Sequence, residues 1–305
     1  MLTLNIQNET GKLESVVLGI AKSFGGTPAL EDCYDPKSRE HVKAGTFPDE
    51  GNLIPAMESF CAVLEKHEVQ VYRPSEIKGL NQIFSRDIAF VIEDKMILPN
   101  IIKDRTEEIK ALQYLIDQIP QEYIIKMPED ARAEGGDVMP WNEFIFIGYS
   151  EEEDFNQYQS ARTNKKGVDF LGKVFPDKKI KAFELKKSDS ISSENALHLD
   201  CCLQPIAKNQ AIIYREGFKN PEDVRFIENY FGKKNIIEIT KEEMGGLHSN
   251  IFSISPNVIV SERSFTRLNT ELRSRGFTVE EINYNEIAKM GGLLRCSTMP
   301  LKRKK

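Results

Sequence analysis

A pattern of about fifty residues recurs along this chain, and it constrains the fold more than any single motif. Each repeat opens on a short polar segment and continues as two apolar runs. An amphipathic helix and one further short strand complete it. Asp87, Asp137, Asp200, Asn250 and Cys296 hold equivalent places at the five polar mouths, separated by 50, 63, 50 and 46 residues. Periods of this length mark propellers and repeat arrays, because one such unit cannot bury its own apolar face. Met244-Gly-Gly-Leu247 returning as Met290-Gly-Gly-Leu293 is direct self-similarity.

The first repeat reads Asp87–Ile92, Lys95–Leu98, a helix near Thr106–Ile119 and Tyr123–Ile125. The next three place their helices near Ala161–Val174, Pro221–Phe231 and Glu262–Arg275, with short β-branched strands on either side. The fifth begins at Cys296 and lacks a second strand and a helix. The N-terminal part supplies both, as Leu13–Leu18 and Leu53–His67. The expected fold is therefore α/β, a five-bladed α/β propeller of ββαβ units with pseudo-fivefold symmetry, closed between the two ends and forming one domain over 1–305. A doubly wound sheet is the rival, but no Gly-rich phosphate loop follows the first strand.

Three stretches stand outside the repeat. Residues 21–51 are long, polar and aperiodic, the character of a lid or binding loop. Residues 151–160 lengthen the second repeat as an acidic insertion whose Glu151–Asp154 run reads as a solvated loop, and Lys302–Lys305 reads as a frayed basic end. Net charge is −6, which argues against nucleic acid as the main partner. No signal peptide is read at the N-terminus, and no apolar run approaches the roughly 20 residues of a membrane span. Five cysteines without disulfide-like or CxxC spacing fit a reducing cytoplasm. The sequence does not decide between a monomer and a homo-oligomer.

In a closed ring the five mouths face one axis. They would then line one pocket with Asp87, Glu134, Asp137, His198, Asp200, His248, Asn250 and Cys296. A thiolate is the attacking form of cysteine, and an imidazole can protonate a leaving group and then take a proton from water. Several converging carboxylates call for a cation, and a planar guanidinium matches their geometry. Zinc at His198, Asp200, Cys201 and Cys202 is set aside, since adjacent strand residues point to opposite faces.

Phe84-Ser-Arg-Asp87, Glu134-Gly-Gly-Asp137, His198-Leu-Asp200 and Arg295-Cys-Ser-Thr-Met-Pro-Leu301 together resemble the motifs of the guanidino-group-modifying enzymes of the pentein fold, in the family's order. That family includes arginine deiminases, dimethylarginine dimethylaminohydrolases and amidinotransferases. Arg162-Thr-Asn-Lys-Lys-Gly167 is similar to a helix start of the dimethylarginine hydrolases. The resemblance implies a covalent amidino-thioether on Cys296, with His198 as acid and then base and Glu134 beside it. It implies that Asp87 and Asp200 hold the guanidinium nitrogens and that Arg162 receives a substrate carboxylate. Asp137, Arg86 and Asn250 are further candidates for substrate contact, and neither metal nor cofactor is required. Amidinotransferases tend to carry Asp where this chain has Glu134, so the resemblance leans toward hydrolysis. Amidino transfer to an amine acceptor is the alternative. A non-catalytic propeller that binds a large assembly is the reading from another class. The chain departs from the family pattern in the 151–160 insertion before Arg162. It also has no room for the added helical domain of arginine deiminases.

Overall fold

The computed structural model describes residues 2–304. Among these residues fifteen strands make five three-stranded sheets. The first two sheets are β3 (Phe90–Ile92), β4 (Lys95–Leu98) and β5 (Ile124–Lys126), then β6 (Val138–Trp141), β7 (Phe144–Tyr149) and β8 (Lys179–Glu184). The next two are β9 (Leu203–Ile206), β10 (Gln210–Ile213) and β11 (Ile236–Glu238), then β12 (Phe252–Ser255), β13 (Val258–Glu262) and β14 (Thr278–Ile282). In each, the central strand is antiparallel to the strand before it and parallel to the strand after it. A short turn suffices for the first connection, whereas the parallel partner needs a crossover. That difference explains why each repeat spends its helix between its second and third strands.

The fifth sheet joins the two ends of the chain. β1 (Leu13–Leu18) is its centre, with β15 (Thr298–Arg303) antiparallel on one side and β2 (Gln70–Tyr72) parallel on the other. Val16 stands opposite Pro300 and also opposite Val71. Three of the five first strands carry proline as their third residue: Pro140, Pro205 and Pro300. These strands lie at sheet edges, where a residue without an N–H leaves one side unable to pair further.

The helices bury one stripe each. In Glu50–Lys66, capped by the Asp49 carboxylate on the Asn52 N–H, the buried residues Leu53, Ala56, Met57, Phe60 and Leu64 recur at helical spacing. Phe60 meets Phe252 and Tyr284 edge-on, with ring centroids 5.8 and 5.6 Å apart, which packs the N-terminal helix against the fourth sheet.

Three expectations need correction. The 151–160 insertion contains a helix, Glu152–Gln157, and Asp154 in it is buried and takes a 2.6 Å hydrogen bond from Lys219 Nζ. Lys302 and Arg303 belong to β15 rather than a frayed end. Arg303 is buried and donates to the Gly11 and Ser253 carbonyls at 2.7 and 2.8 Å; Lys305 lies outside the described residues. The helix expected near Thr106–Ile119 is a 3-10 segment, Lys103–Leu112, followed by one α turn, Gln113–Ile116. The 21–51 stretch is also partly ordered by its own helix, Pro36–Lys43.

Phe60→Ala removes the ring that joins helix and sheet. It should cost about 3–5 kcal/mol, measured as a lower urea midpoint at unchanged slope.

Candidate active site

Five hydrogen bonds run from mouth to mouth and return to their start. The Gly136 N–H donates to Asp87 Oδ1 at 3.1 Å, and the Leu199 N–H donates to Asp137 Oδ1 at 2.9 Å. The Ser249 hydroxyl donates to the Asp200 carbonyl at 2.8 Å, and the Cys296 N–H donates to Asn250 Oδ1 at 3.1 Å. The Arg86 N–H then donates to the Cys296 carbonyl at 3.0 Å. Residues that share a repeat phase therefore share a structural role, since the side-chain oxygens at 87, 137 and 250 each receive a backbone N–H of the next mouth.

Asp200 differs because its carboxylate serves Arg295. All five N–H groups of this buried guanidinium have acceptors. They reach Glu9 at 3.1 and 3.2 Å, Asp200 Oδ2 at 2.9 Å, and the carbonyls of Gly136 and Val138 at 3.2 and 3.0 Å. One side chain thus ties the second, third and fifth mouths to the N-terminal segment, a geometry that only the fork of arginine fits.

Cys296 follows directly. Asn250 Nδ2 lies 3.1 Å from its Sγ, and Sγ lies 3.7 Å from Asp200 Oδ2. Burial pushes the thiol well above its ordinary pKa, and the Asp200 and Asp87 carboxylates add to the effect. The nucleophile candidate is held as a thiol. Opposite stands His198, whose Nε2 is 2.8 Å from Glu134 Oε2 and whose Nδ1 is 3.8 Å from Asp87 Oδ1. Burial opposes charge on this ring, but Asp87, Glu134 and Asp137 outweigh it and raise its pKa to about 9. Gly136 permits this seat, since a Cβ there would stand 2.6 Å from the imidazole Cγ.

Two arginines complete the site. Arg162 Nη1 pairs with Glu134 Oε2 at 3.1 Å, and Arg105 Nη1 pairs with Asp87 Oδ2 at 2.7 Å while it forks onto Glu108 at 2.8 Å. Burial works against the Glu134 carboxylate, yet Arg162 and the His198 hydrogen bond hold it well below the usual range. Asp87, Glu134 and His198 each place one donor atom within 4.8 Å of the others, as a metal would require. Both carboxylates already carry a guanidinium, Asp87 that of Arg105 and Glu134 that of Arg162.

Cys296, His198, Asp87, Arg105 and Arg162 line one small cavity of about 20 Å³ together with Tyr34 and Asp35. Glu134 and Asp200 stand behind it, bonded to His198 and Sγ. Asn250 positions the sulfur. Three expected residues do not reach this cavity. Asp137 bonds the backbone beside His198. Arg86 is buried on the far side against the Arg295 carbonyl and Thr298. His248 stacks on Phe265 with ring centroids 3.6 Å apart. Sequence reasoning missed Arg105, Glu108, Glu9, Tyr34 and Asp35. Arg105 and Glu108 read as an ordinary i,i+3 surface pair, and no local signal separates such a pair from a buried one.

A family model described as N,N dimethylarginine dimethylhydrolase, eukaryotic, matches residues 50–303. The chain belongs to this family. It thereby falls within the pentein superfamily of guanidino-group-modifying enzymes. YkgA of Bacillus subtilis (strain 168), described as uncharacterized, is 29% identical over 298 residues, which cover 97% of this chain and 94% of YkgA. The N-terminal domain of ArgZ, a cyanobacterial arginine dihydrolase, superposes with a TM-score of 0.79 at 16% identity, over 95% of this chain and 98% of that one. The amidinotransferase SxtG of Microseira wollei gives a TM-score of 0.75 at 17% identity, over 99% and 98%. AgrE, solved with ornithine and NAD+, gives 0.78 at 18% identity; the match covers 95% of this chain but only 39% of AgrE. At these identities the solved structures establish a shared α/β fold.

Arg295→Met leaves Glu9 and Asp200 buried without their cation. A loss of about 3–5 kcal/mol in urea unfolding is expected, although the size of the side chain is nearly kept.

Proposed function

We propose that this protein hydrolyses a C–N bond of a guanidino compound of the arginine or methylarginine kind, with Cys296 as nucleophile. The observation that carries the reading is the cavity in which Cys296 Sγ, held by Asn250, shares its walls with His198 and Asp87. The match to the dimethylarginine hydrolase family supports it. On the same reading the five sheets are the blades of a fivefold propeller, and the chain is one cytoplasmic catalytic domain that works without metal or cofactor.

The charges suggest an order of events. The thiol stays protonated beside Asp200 and Asp87 until a cation enters. A guanidinium lodged against those carboxylates offsets their field and lets the thiol proton pass to solvent, since His198 already holds its own, and the carboxylates keep lone pairs for the guanidinium beyond those used by Arg105 and Arg295. The thiolate attacks the guanidinium carbon, and a tetrahedral adduct forms. Imidazolium His198 gives its proton to the departing nitrogen, the C–N bond breaks, and ammonia or an alkylamine leaves an amidino-thioether on Cys296. Neutral His198 then takes a proton from water, whose oxygen adds to the same carbon. Expulsion of sulfur yields the ureido product, and Glu134 steadies the imidazolium in both halves.

Incubation with arginine or a methylated arginine, read by mass spectrometry, should give citrulline without an added amine. Turnover that appears only with an amine acceptor would make the protein an amidinotransferase. Absence of any guanidino turnover, with no adduct on Cys296, would leave the binding-module reading. Cys296→Ser should lose at least 1,000-fold in kcat, as expected when a covalent nucleophile is removed.

The acid form of His198 exists below its pKa of about 9 and disappears as pH rises through it. Accordingly kcat/KM should rise with pH while the buried thiol must give up a proton, and should level off at about 9, where the acid form of His198 is lost. A profile that keeps rising beyond that point would overturn the assignment of His198 as the acid.

A further inference from the structure

One buried cation beside the site takes no part in the chemistry proposed above. Lys187 is 9% exposed and, among the described residues, has no carboxylate within 4 Å of its Nζ. The ammonium instead donates to the Ala196 and Leu197 carbonyls, both at 2.8 Å. Its own loop is tied to the same place, since the Ala196 N–H donates to the Lys186 carbonyl at 3.0 Å. Ala196 and Leu197 lead into His198, and Leu197 lines the cavity with it.

Asp137 grips this segment from its other end. Its Oδ1 accepts the Leu199 N–H at 2.9 Å. A Cβ at Gly148 would stand 2.4 Å from that oxygen and 3.0 Å from Leu199 Cβ, so β7 is bare where the carboxylate approaches. Lys187 and Asp137 thus hold four consecutive residues, Ala196–Leu199, with the imidazole between their contacts.

The charges around the ring show what else the pair does. Three acids act on His198: Asp87, Glu134 and Asp137. Asp87 carries Arg105 at 2.7 Å and Glu134 carries Arg162 at 3.1 Å, while Asp137 has no Lys, Arg or His within 4 Å among the described residues. Burial raises the Asp137 pKa, and His198 and Lys187 oppose that rise through space. Lys187 in turn is disfavoured as a cation by burial and by Arg162, and favoured by Asp137 and the Cys201 and Cys202 thiols. A buried carboxylate stays ionised only where cations offset its desolvation.

We propose that Lys187 is a positioning residue for His198: it fixes the segment that carries the imidazole and, through Asp137, keeps the ring charged. Its use as the positioner of a general acid rests on the guanidino-hydrolase reading above. Taken directly, the ammonium would repel an imidazolium, so the two routes have opposite signs and the direction of a shift separates them.

Lys187→Gln keeps N–H donors for the two carbonyls and removes the charge. The chain has four histidines, so the His198 ring is read by NMR as the signal absent from His198→Gln. Its titration midpoint, about 9 in the unaltered protein, should fall by about one pH unit in Lys187→Gln and equally in Asp137→Asn, with no further fall in the double variant. Lys187→Arg should hold the midpoint, and Lys187→Met replaces the Gln variant should that one not fold. On arginine, kcat/KM of the uncharged variants should level off about one pH unit earlier. A midpoint that rises or stays put without the Lys187 charge, or that stays put in Asp137→Asn, would overturn the proposal. If the midpoint falls as expected but unaltered protein turns over no guanidino compound, the parent reading fails while the hold of Lys187 on the imidazole stands.

Discussion

The five satisfied N–H groups of Arg295 are the interaction on which the rest of the molecule depends. Its guanidinium is buried among acceptors drawn from the N-terminal segment, the second mouth and the third mouth, and its own backbone leads into Cys296. A charge so deep is tolerated only when every donor is used and two carboxylates balance it. The same residue therefore ties the second, third and fifth mouths to the N-terminal segment and holds Asp200 beside the sulfur.

From that centre the site is built as a set of buried pairs. Glu134 is shared by Arg162 and His198, Asp87 by Arg105 and a backbone N–H, and Asp200 by Arg295 and the thiol. Pairing of this kind keeps the imidazole charged and the thiol neutral, the opposite of a resting thiolate–imidazolium site. The chemistry proposed for it needs a cation from outside to shift the balance. Electrostatics and substrate choice are then one property of the site.

Much of the architecture was legible because repetition speaks twice. Period-two and helical stretches recur every fifty residues or so, and the incomplete fifth repeat asks for the strand and helix that the N-terminal part holds. Cys296, His198, Glu134 and Asp87 stood out because they sit in phase with, or beside, the same mouth. The shared phase also has a structural part: Asp87, Asp137 and Asn250 each spend one oxygen on the next mouth's backbone, and Asp137 does not line the cavity. A repeat keeps what every unit needs, and what every unit needs is its neighbour. Arg303 was misjudged for a related reason: a run of basic residues reads as solvated unless the strand that buries it is known.

The order and type of the strands, the closure between the two ends and the candidacy of Cys296 were determined by the sequence alone, because they follow from local periodicity and residue chemistry. Only the tertiary structure decided which charges meet. Arg105 reaches Asp87 across 18 residues, and Arg295 reaches Glu9 across 286. Ion pairs depend on distances of a few ångströms between segments that chain order does not relate, and burial sets whether each pair raises or lowers a proton affinity. Those two quantities, more than the residue types, set the charge each of these acids and bases carries.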